Sequence, residues 1–289
     1  MKSSFAALPA ALLALAGLAS MSIAAAAIPA PIATEAQPAH EGHITVTDMV
    51  TKRSPAIVSV KFVLKGEMGD MESECQGVII EADGLVLVSN IQIGGLAARF
   101  GGGNVTPTEL KILIGDDTQG VDASIIARDS ELGLAWLKIK EPKGPYAFID
   151  FSTAKDPAMG DTVVVLGQMG KFFDRVPVAM SGSIAAVTAK PRKLFIPSVT
   201  LAPAEFGLPA FDGAGNPIGV VTVILPEDDE LQGPGGMERI LRGVQGGKMI
   251  LPGAEVVSAT QKAKETAAPA ELAPASSEVP AAPATPAVP

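Results

Sequence analysis

The feature that most constrains this chain is a run of short apolar segments of strand length, separated by Gly, Pro, Asn and Asp, with no helical periodicity between them. Residues 56–64 alternate, with Ile57, Ser59 and Lys61 on one side and Val58, Val60 and Phe62 on the other. Residues 77–80 and 85–88 flank Glu81-Ala82-Asp83-Gly84, whose Asp-Gly pair marks a hairpin turn. Further segments stand at 111–114, 123–127 and 134–139. After Pro142 the pattern restarts, at 163–166, 183–187, 194–196 and 218–224. Strands at this spacing predict an all-β barrel or sandwich, and the break near residues 141–145 divides them into two packed barrels. One helix is expected at the end. Pro252-Gly253 opens it, and residues 254–266 hold good helix formers with Val256, Val257 and Ala259 toward an apolar face.

Composition removes several function classes. With 289 residues the chain can build one large domain or two small ones. A net charge of -9 opposes non-specific nucleic-acid binding, which needs a cationic face. The single cysteine, Cys75, allows neither an intrachain disulfide framework nor a Cys-rich zinc module, and it reads as a partly buried strand residue. The two histidines, His40 and His43, stand in one short stretch, and none follows them. Chemistry in the main domain must therefore proceed without imidazole as base or ligand. His40-Glu41-Gly42-His43 lacks the four-residue spacing of a helical His-Glu-x-x-His site, so no metal and no cofactor are expected.

The ends differ from the middle. Residues 1–27 carry Lys2, an apolar stretch broken by Pro9, and a run of small residues near Ala26, the pattern of a secretory signal peptide rather than a membrane anchor. Residues 28–43 are Pro/Ala-rich and without periodicity, a linker. Residues 44–264 form the folded domain, and the Ala/Pro-rich residues 265–289 read as a disordered tail. No later segment has the length and apolarity of a membrane span, so the mature chain is expected to be exported, to the periplasm or beyond.

The order of motifs then resembles a known family. From about Asp48 to Lys264 the chain is similar to trypsin-like serine proteases of the HtrA/Deg type. Ser54-Pro55-Ala56-Ile57-Val58-Ser59-Val60 resembles the opening strand, and residues 77–90 resemble the hairpin leading to the catalytic histidine. Ile126-Ala127-Arg128-Asp129 with residues 134–139 resembles the surroundings of the catalytic aspartate. Residues 159–167 and 181–187 resemble the first pair of strands of the second barrel, and residues 209–220 the strands after the nucleophile. Met249-Ile250-Leu251-Pro252 leads into the closing helix. The resemblance implies two packed six-stranded antiparallel β-barrels with a C-terminal helix. It leaves oligomerisation open, since trimers are common in the family.

The catalytic triad does not carry over. Where the family has His after Asn, Ile91 follows Asn90; where its Asp precedes Leu-Ala, Gly133 stands; where Gly-Asn-Ser-Gly-Gly-Pro is expected, the chain reads Ala204-Glu205-Phe206-Gly207-Leu208-Pro209. Ile91, Gly133 and Phe206 offer no nucleophile, no base and no partner to orient one. Leu208 also replaces a glycine of the loop whose amides form the oxyanion hole. The family's peptide-binding PDZ domain is not expected after the closing helix. These features imply an exported pseudoprotease that binds a protein or peptide, with Phe206, Ile91 and Leu208 filling the catalytic cleft. Two alternatives stay open. One is a hydrolase with a different arrangement, such as a Ser-Lys dyad drawing on Ser89, Ser181 or Ser183. The other is an envelope protein that acts through its tail. The basic loop Lys190-Pro191-Arg192-Lys193 reads as a solubilising turn, with an acidic partner as the alternative.

Overall fold

In a computed structural model, described for residues 44–66, 69–95, 106–223 and 248–271, the apolar segments and two more, Pro209–Asp212 and Lys248–Pro252, form twelve strands. The signal-peptide and linker expectations, His40 and His43, and most of the tail lie outside the described residues. The first six strands are β1 (Ile57–Gly66), β2 (Gly69–Glu81), β3 (Leu85–Ser89), β4 (Thr108–Ile114), β5 (Val121–Asp129) and β6 (Leu134–Ile139). The second six are β7 (Thr162–Gln168), β8 (Pro177–Thr188), β9 (Leu194–Pro197), β10 (Pro209–Asp212), β11 (Pro217–Val223) and β12 (Lys248–Pro252). Each set closes into an antiparallel barrel. The first runs β1-β2-β3-β6-β5-β4, and the second runs β7-β8-β9-β12-β11-β10, so the two halves share one strand order. The chain crosses between them after Ile139, at the expected break.

The hairpin at Asp83-Gly84 forms as its residues require. Glu81 pairs with Leu85, and Gly84 adopts φ +83°, where a Cβ would lie 2.8 Å from the Ile139 side chain. All five residues of β3 are buried, because the strand serves two cores. Val86 and Val88 point into the first barrel with Val58, Ile112 and Leu137. Leu85 and Leu87, on the opposite face, join a larger cluster that holds Trp136 together with Phe195, Phe206 and Phe211 of the second barrel. The period-two alternation of a strand thus becomes a seam between barrels rather than an inside and a solvent side.

Among the described residues two α-helices frame this body. The C-terminal helix is longer than its composition suggests: it runs Gly253–Glu271, past Thr266 and into the stretch read as tail. It buries Val256, Ala259 and Ala263, and Thr260 accepts a hydrogen bond from Trp136 Nε1 at 3.0 Å. Lys264 bonds Glu81 at 2.9 Å and ties the helix to β2. The helix α1 (Val46–Arg53) was not expected; the C-terminal helix is therefore α2. The signal for α1 is a reciprocal cap. Thr45 accepts from the Asp48 amide at 3.0 Å, and its hydroxyl donates to the Asp48 carboxylate at 2.6 Å. With only eight residues and one fully buried side chain, Met49, it shows too little periodicity to be read in advance.

Candidate functional site

The three positions that depart from the triad come together where the barrels meet. Ile91 directly follows β3 and Asn90, half-buried and packed against the larger core cluster. Gly133 closes the β5–β6 turn, and its carbonyl accepts the Asn90 amide at 2.8 Å. That turn is shaped by Asp129, whose carboxylate takes the amides of Glu131 and Leu132 at 3.0 and 2.8 Å. Gly133 holds φ +69°, and a Cβ there would meet Thr222 Oγ1 at 3.1 Å. Thr222 is itself buried and donates to the Leu132 carbonyl at 2.7 Å. On the third side, Phe206 is 1% exposed and Leu208 is fully buried. Between them Gly207 sits at φ +89°, where a Cβ would lie 2.8 Å from the Ser89 amide nitrogen. Its N–H donates to the Val221 carbonyl at 2.8 Å, and the Val221 amide returns to Leu208 at 2.9 Å.

Beside these three positions stands a clamp of fixed polar groups. Asn90, buried at the end of β3, accepts from Arg128 Nη1 at 2.7 Å through Oδ1 and donates from Nδ2 to Ser130 Oγ at 3.4 Å. Arg128 Nη2 donates to the Ile93 carbonyl at 3.0 Å. Burial pulls the Arg128 guanidinium below its usual range. An amide and a carbonyl are its partners there, and neither can take up a proton at neutral pH. In the sequence, Asn90 and Arg128 carry only the family resemblance and have no role of their own. Their pairing is 38 residues apart and becomes visible only once β3 and β5 are folded.

The serines read as alternative nucleophiles lie in strands, Ser89 in β3 and Ser181 and Ser183 in β8. Ser89 is buried within β3. Ser183 Oγ stands 3.2 Å from Ser198 Oγ, on the β8–β9 side. The basic loop finds its partners within the chain, since Arg192 pairs with Glu131 of the first barrel and Lys193 with Asp156. Cys75 is buried in β2, and desolvation pushes its thiol up to about 12. Among the described residues no group of three His, Cys, Asp or Glu side chains is placed to hold a metal ion.

Beside Leu208 a cleft of about 440 Å³ lies between the barrels. Ser59, Glu74 and Gln76 of the first barrel form one wall, Gln168 and Lys171 of the second form the other, and Leu208 closes the floor. Its polar groups are ordered: the Gln168 amide donates to Gln76 Oε1 at 2.7 Å, and Gln168 Nε2 donates to Ser59 Oγ at 3.0 Å.

Two closed six-stranded barrels with their loops meeting at one seam define a trypsin-like domain, and residues 75–220 match the trypsin-like peptidase domain family, to which the chain belongs. Within that family its similarities are to proteins of the HtrA/Deg type. It is 29% identical over 153 residues to probable periplasmic serine endoproteases, DegP-like, of Brucella suis and Brucella abortus. The match covers 51% of this chain but 27% of those relatives, so the chain spans well under half of their length. Among solved structures, the HtrA-type protease AlgW with a tripeptide superposes with a TM-score of 0.53 at 19% identity, over 76% of this chain and 63% of that one. Deg5 superposes with a TM-score of 0.52 at 17% identity, over 73% and 90%. These likenesses show the fold. No helix among the described residues is long and apolar enough to cross a membrane.

Proposed function

We propose that this chain is an exported, catalytically inactive trypsin-like domain that binds a protein or peptide. The observation that carries the reading is Phe206, buried to 1% exposure at the position of the family nucleophile. Two further features support it. No histidine follows His43 to act as base, and Asn90 and Arg128 engage each other where a triad would be oriented. A buried phenyl ring neither attacks a carbonyl nor makes room for one, and Leu208 restrains the loop that would stabilise an oxyanion. Export rests on the signal-like residues 1–27 and agrees with the periplasmic relatives. A binding role draws on the cleft of about 440 Å³ that persists beside the filled seam.

The test is a crosslinking capture from envelope extract with the chain as bait, casein being present in the same tubes. The expected result is a saturable partner with casein intact. Casein cleavage that co-purifies with the chain and vanishes on changing one Ser or Asp would overturn the reading. Capture that depends wholly on residues 265–289 would move the function to that segment instead.

A further inference from the structure

The cleft beside Leu208 is lined by one cation without an ion pair among the described residues, Lys171, and by two carboxylates that already accept bonds, Glu74 and Glu205; a second cation, Arg175, is bonded to its wall. Arg175 bonds the wall residues Ser59 and Glu74 from the β7–β8 connection, where Asp174 and Arg175 both hold φ +51°, a left-handed conformation that is strained for residues with a Cβ. This turn carries the guanidinium across to the first barrel, leaving the side chain only 9% exposed. Nε donates to Ser59 Oγ at 3.2 Å and to Glu74 Oε1 at a long 3.4 Å, and Nη2 is buried without a partner. An arginine offers a planar fork suited to a two-point carboxylate contact, and an unmet buried donor is costly. Lys171 lines the same cleft and has no ion pair among the described residues. Glu205, the second carboxylate of the lining, accepts the Ala202 amide.

The rest of the cleft is suited to a main chain. Gln76 uses Oε1 on the Gln168 amide and keeps its own amide donors for a ligand, while Gln168 is fixed by Ser59. Met169 in the lining is 38% exposed and Phe172, next in sequence to Lys171, is 89% exposed, and large apolar groups left in water mark a contact surface. Both barrels are closed, so the cleft offers a ligand its side chains rather than the edge of an open sheet.

We infer that this cleft holds the carboxylate of a peptide, Arg175 and Lys171 taking the charge, Gln76 and Gln168 the adjacent amides, and Met169 and Phe172 an apolar side chain next to it. Arg175 Nη2 is closed off from solvent, so the incoming carboxylate meets it through a turn of the long side chain, which gives up its 3.2 Å bond to Ser59 and its long 3.4 Å contact to Glu74. The carboxylate can come from a free C-terminus or from an acidic side chain. The inference rests on the reading that the chain binds a peptide and adds the site and the chemistry.

The test uses the full chain and fluorescence anisotropy with three labelled hexapeptides: penta-alanyl-phenylalanine as free acid, the same peptide as its amide, and the amide with Asp before the Phe. The free acid is expected to bind about tenfold tighter than the plain amide, and to lose about tenfold in Lys171→Gln and in Arg175→Gln. Lys155→Gln, exposed and outside the cleft, leaves binding unchanged. If the Asp-containing amide matches the acid, a side-chain carboxylate serves, and the site stands. Lys171 is exposed, so Lys171→Gln carries the test even if Arg175→Gln fails to fold. Equal binding of acid and amide, or acid binding unmoved by Lys171→Gln and by a folded Arg175→Gln, overturns the inference while leaving peptide binding intact. Failure of all three peptides to bind overturns the inference too. Casein turnover in the same preparation sinks the broader reading instead.

Discussion

Replacing Phe206 by serine restores the family nucleophile in name, at a cost set by the side chains that now surround the ring. Phe206 is 1% exposed and belongs to the cluster that includes Phe211, Leu208 and Trp136. Truncating a buried Phe to Ala costs about 3–5 kcal/mol, because the surrounding side chains close only part of the cavity. A serine hydroxyl placed in that apolar cavity adds roughly 1 kcal/mol or more of unmet hydrogen bonding. The sum, about 5 kcal/mol, is a large share of the roughly 5–15 kcal/mol that holds a domain folded. It corresponds to a melting temperature lowered by about 10–20 °C for a domain of this size. Phe206→Leu, which keeps most of the volume, should cost only about 1.5 kcal/mol. Guanidinium melts at constant slope measure both, and a casein assay on the same samples is expected to read no turnover, since no base stands by to take the serine proton. A Phe206→Ser protein within about 1 kcal/mol of wild type, or one that cleaves casein, would refute the reasoning.

Other perturbations separate packing from backbone strain and charge. Gly207→Ala meets the Ser89 amide nitrogen at 2.8 Å as well as a positive φ, whereas Gly160→Ala at φ +94° meets nothing within 4 Å; thermal melts should show the first losing clearly more than the second's ~1 kcal/mol. Asn90→Ala removes the Arg128 Nη1 acceptor and should cost about 1.5 kcal/mol in urea unfolding, with Arg128→Met on that background recovering part of it. Cys75 should resist a thiol reagent at pH 8 until guanidinium is added, because its folded thiol stays protonated to about pH 12. Its raised folded value also means stability is complete below pH 9.0 and falls by about 1.4 kcal/mol per unit from there toward 12; the difference between wild type and Cys75→Ala across that window reads this directly.

How much of this was legible in advance divides along physical lines. The strands were, since apolar alternation and the Asp83-Gly84 turn are local signals, and β6 occurs at its expected residues, Leu134–Ile139. Local chemistry also placed Cys75 in a strand. The eight residues of α1 were missed because their signal is a cap at Thr45 rather than a periodic face. The extra turn and more of α2 was missed because Ala and Glu beyond Thr266 suit a helix and a solvated tail equally well. At the seam, the identity of Ile91, Gly133 and Phe206 was readable, but not the clamp around Arg128. That contact joins residues 35 and 38 positions apart and depends on the pairing of β3 with β6 and β6 with β5. Arg175 left no signal at all. Its importance lies in an unusual backbone conformation and an unmet donor, and neither is written in residue type.

On the proposed reading, the residues at the seam make physical sense together. A working hydrolase keeps polar groups poised and partly unmet between two barrels, and such groups cost stability. Here Phe206 joins the core that spans both barrels, Thr222 satisfies Leu132, and Asn90 satisfies Arg128. On the proposed reading, a site that has lost one triad member leaves the others no transition state to stabilise, and each apolar or internally paired residue in their place strengthens the junction. The same accounting applied a few residues away gives the opposite result. At Ser59, Glu74 and Arg175 the chain retains a strained turn, a long ion pair and a buried donor without a partner, around a cleft that apolar side chains could have filled. Where the fold could have gained stability and did not, a ligand that completes those bonds is the economical explanation, and the place to look for binding is that cleft rather than the seam at Phe206.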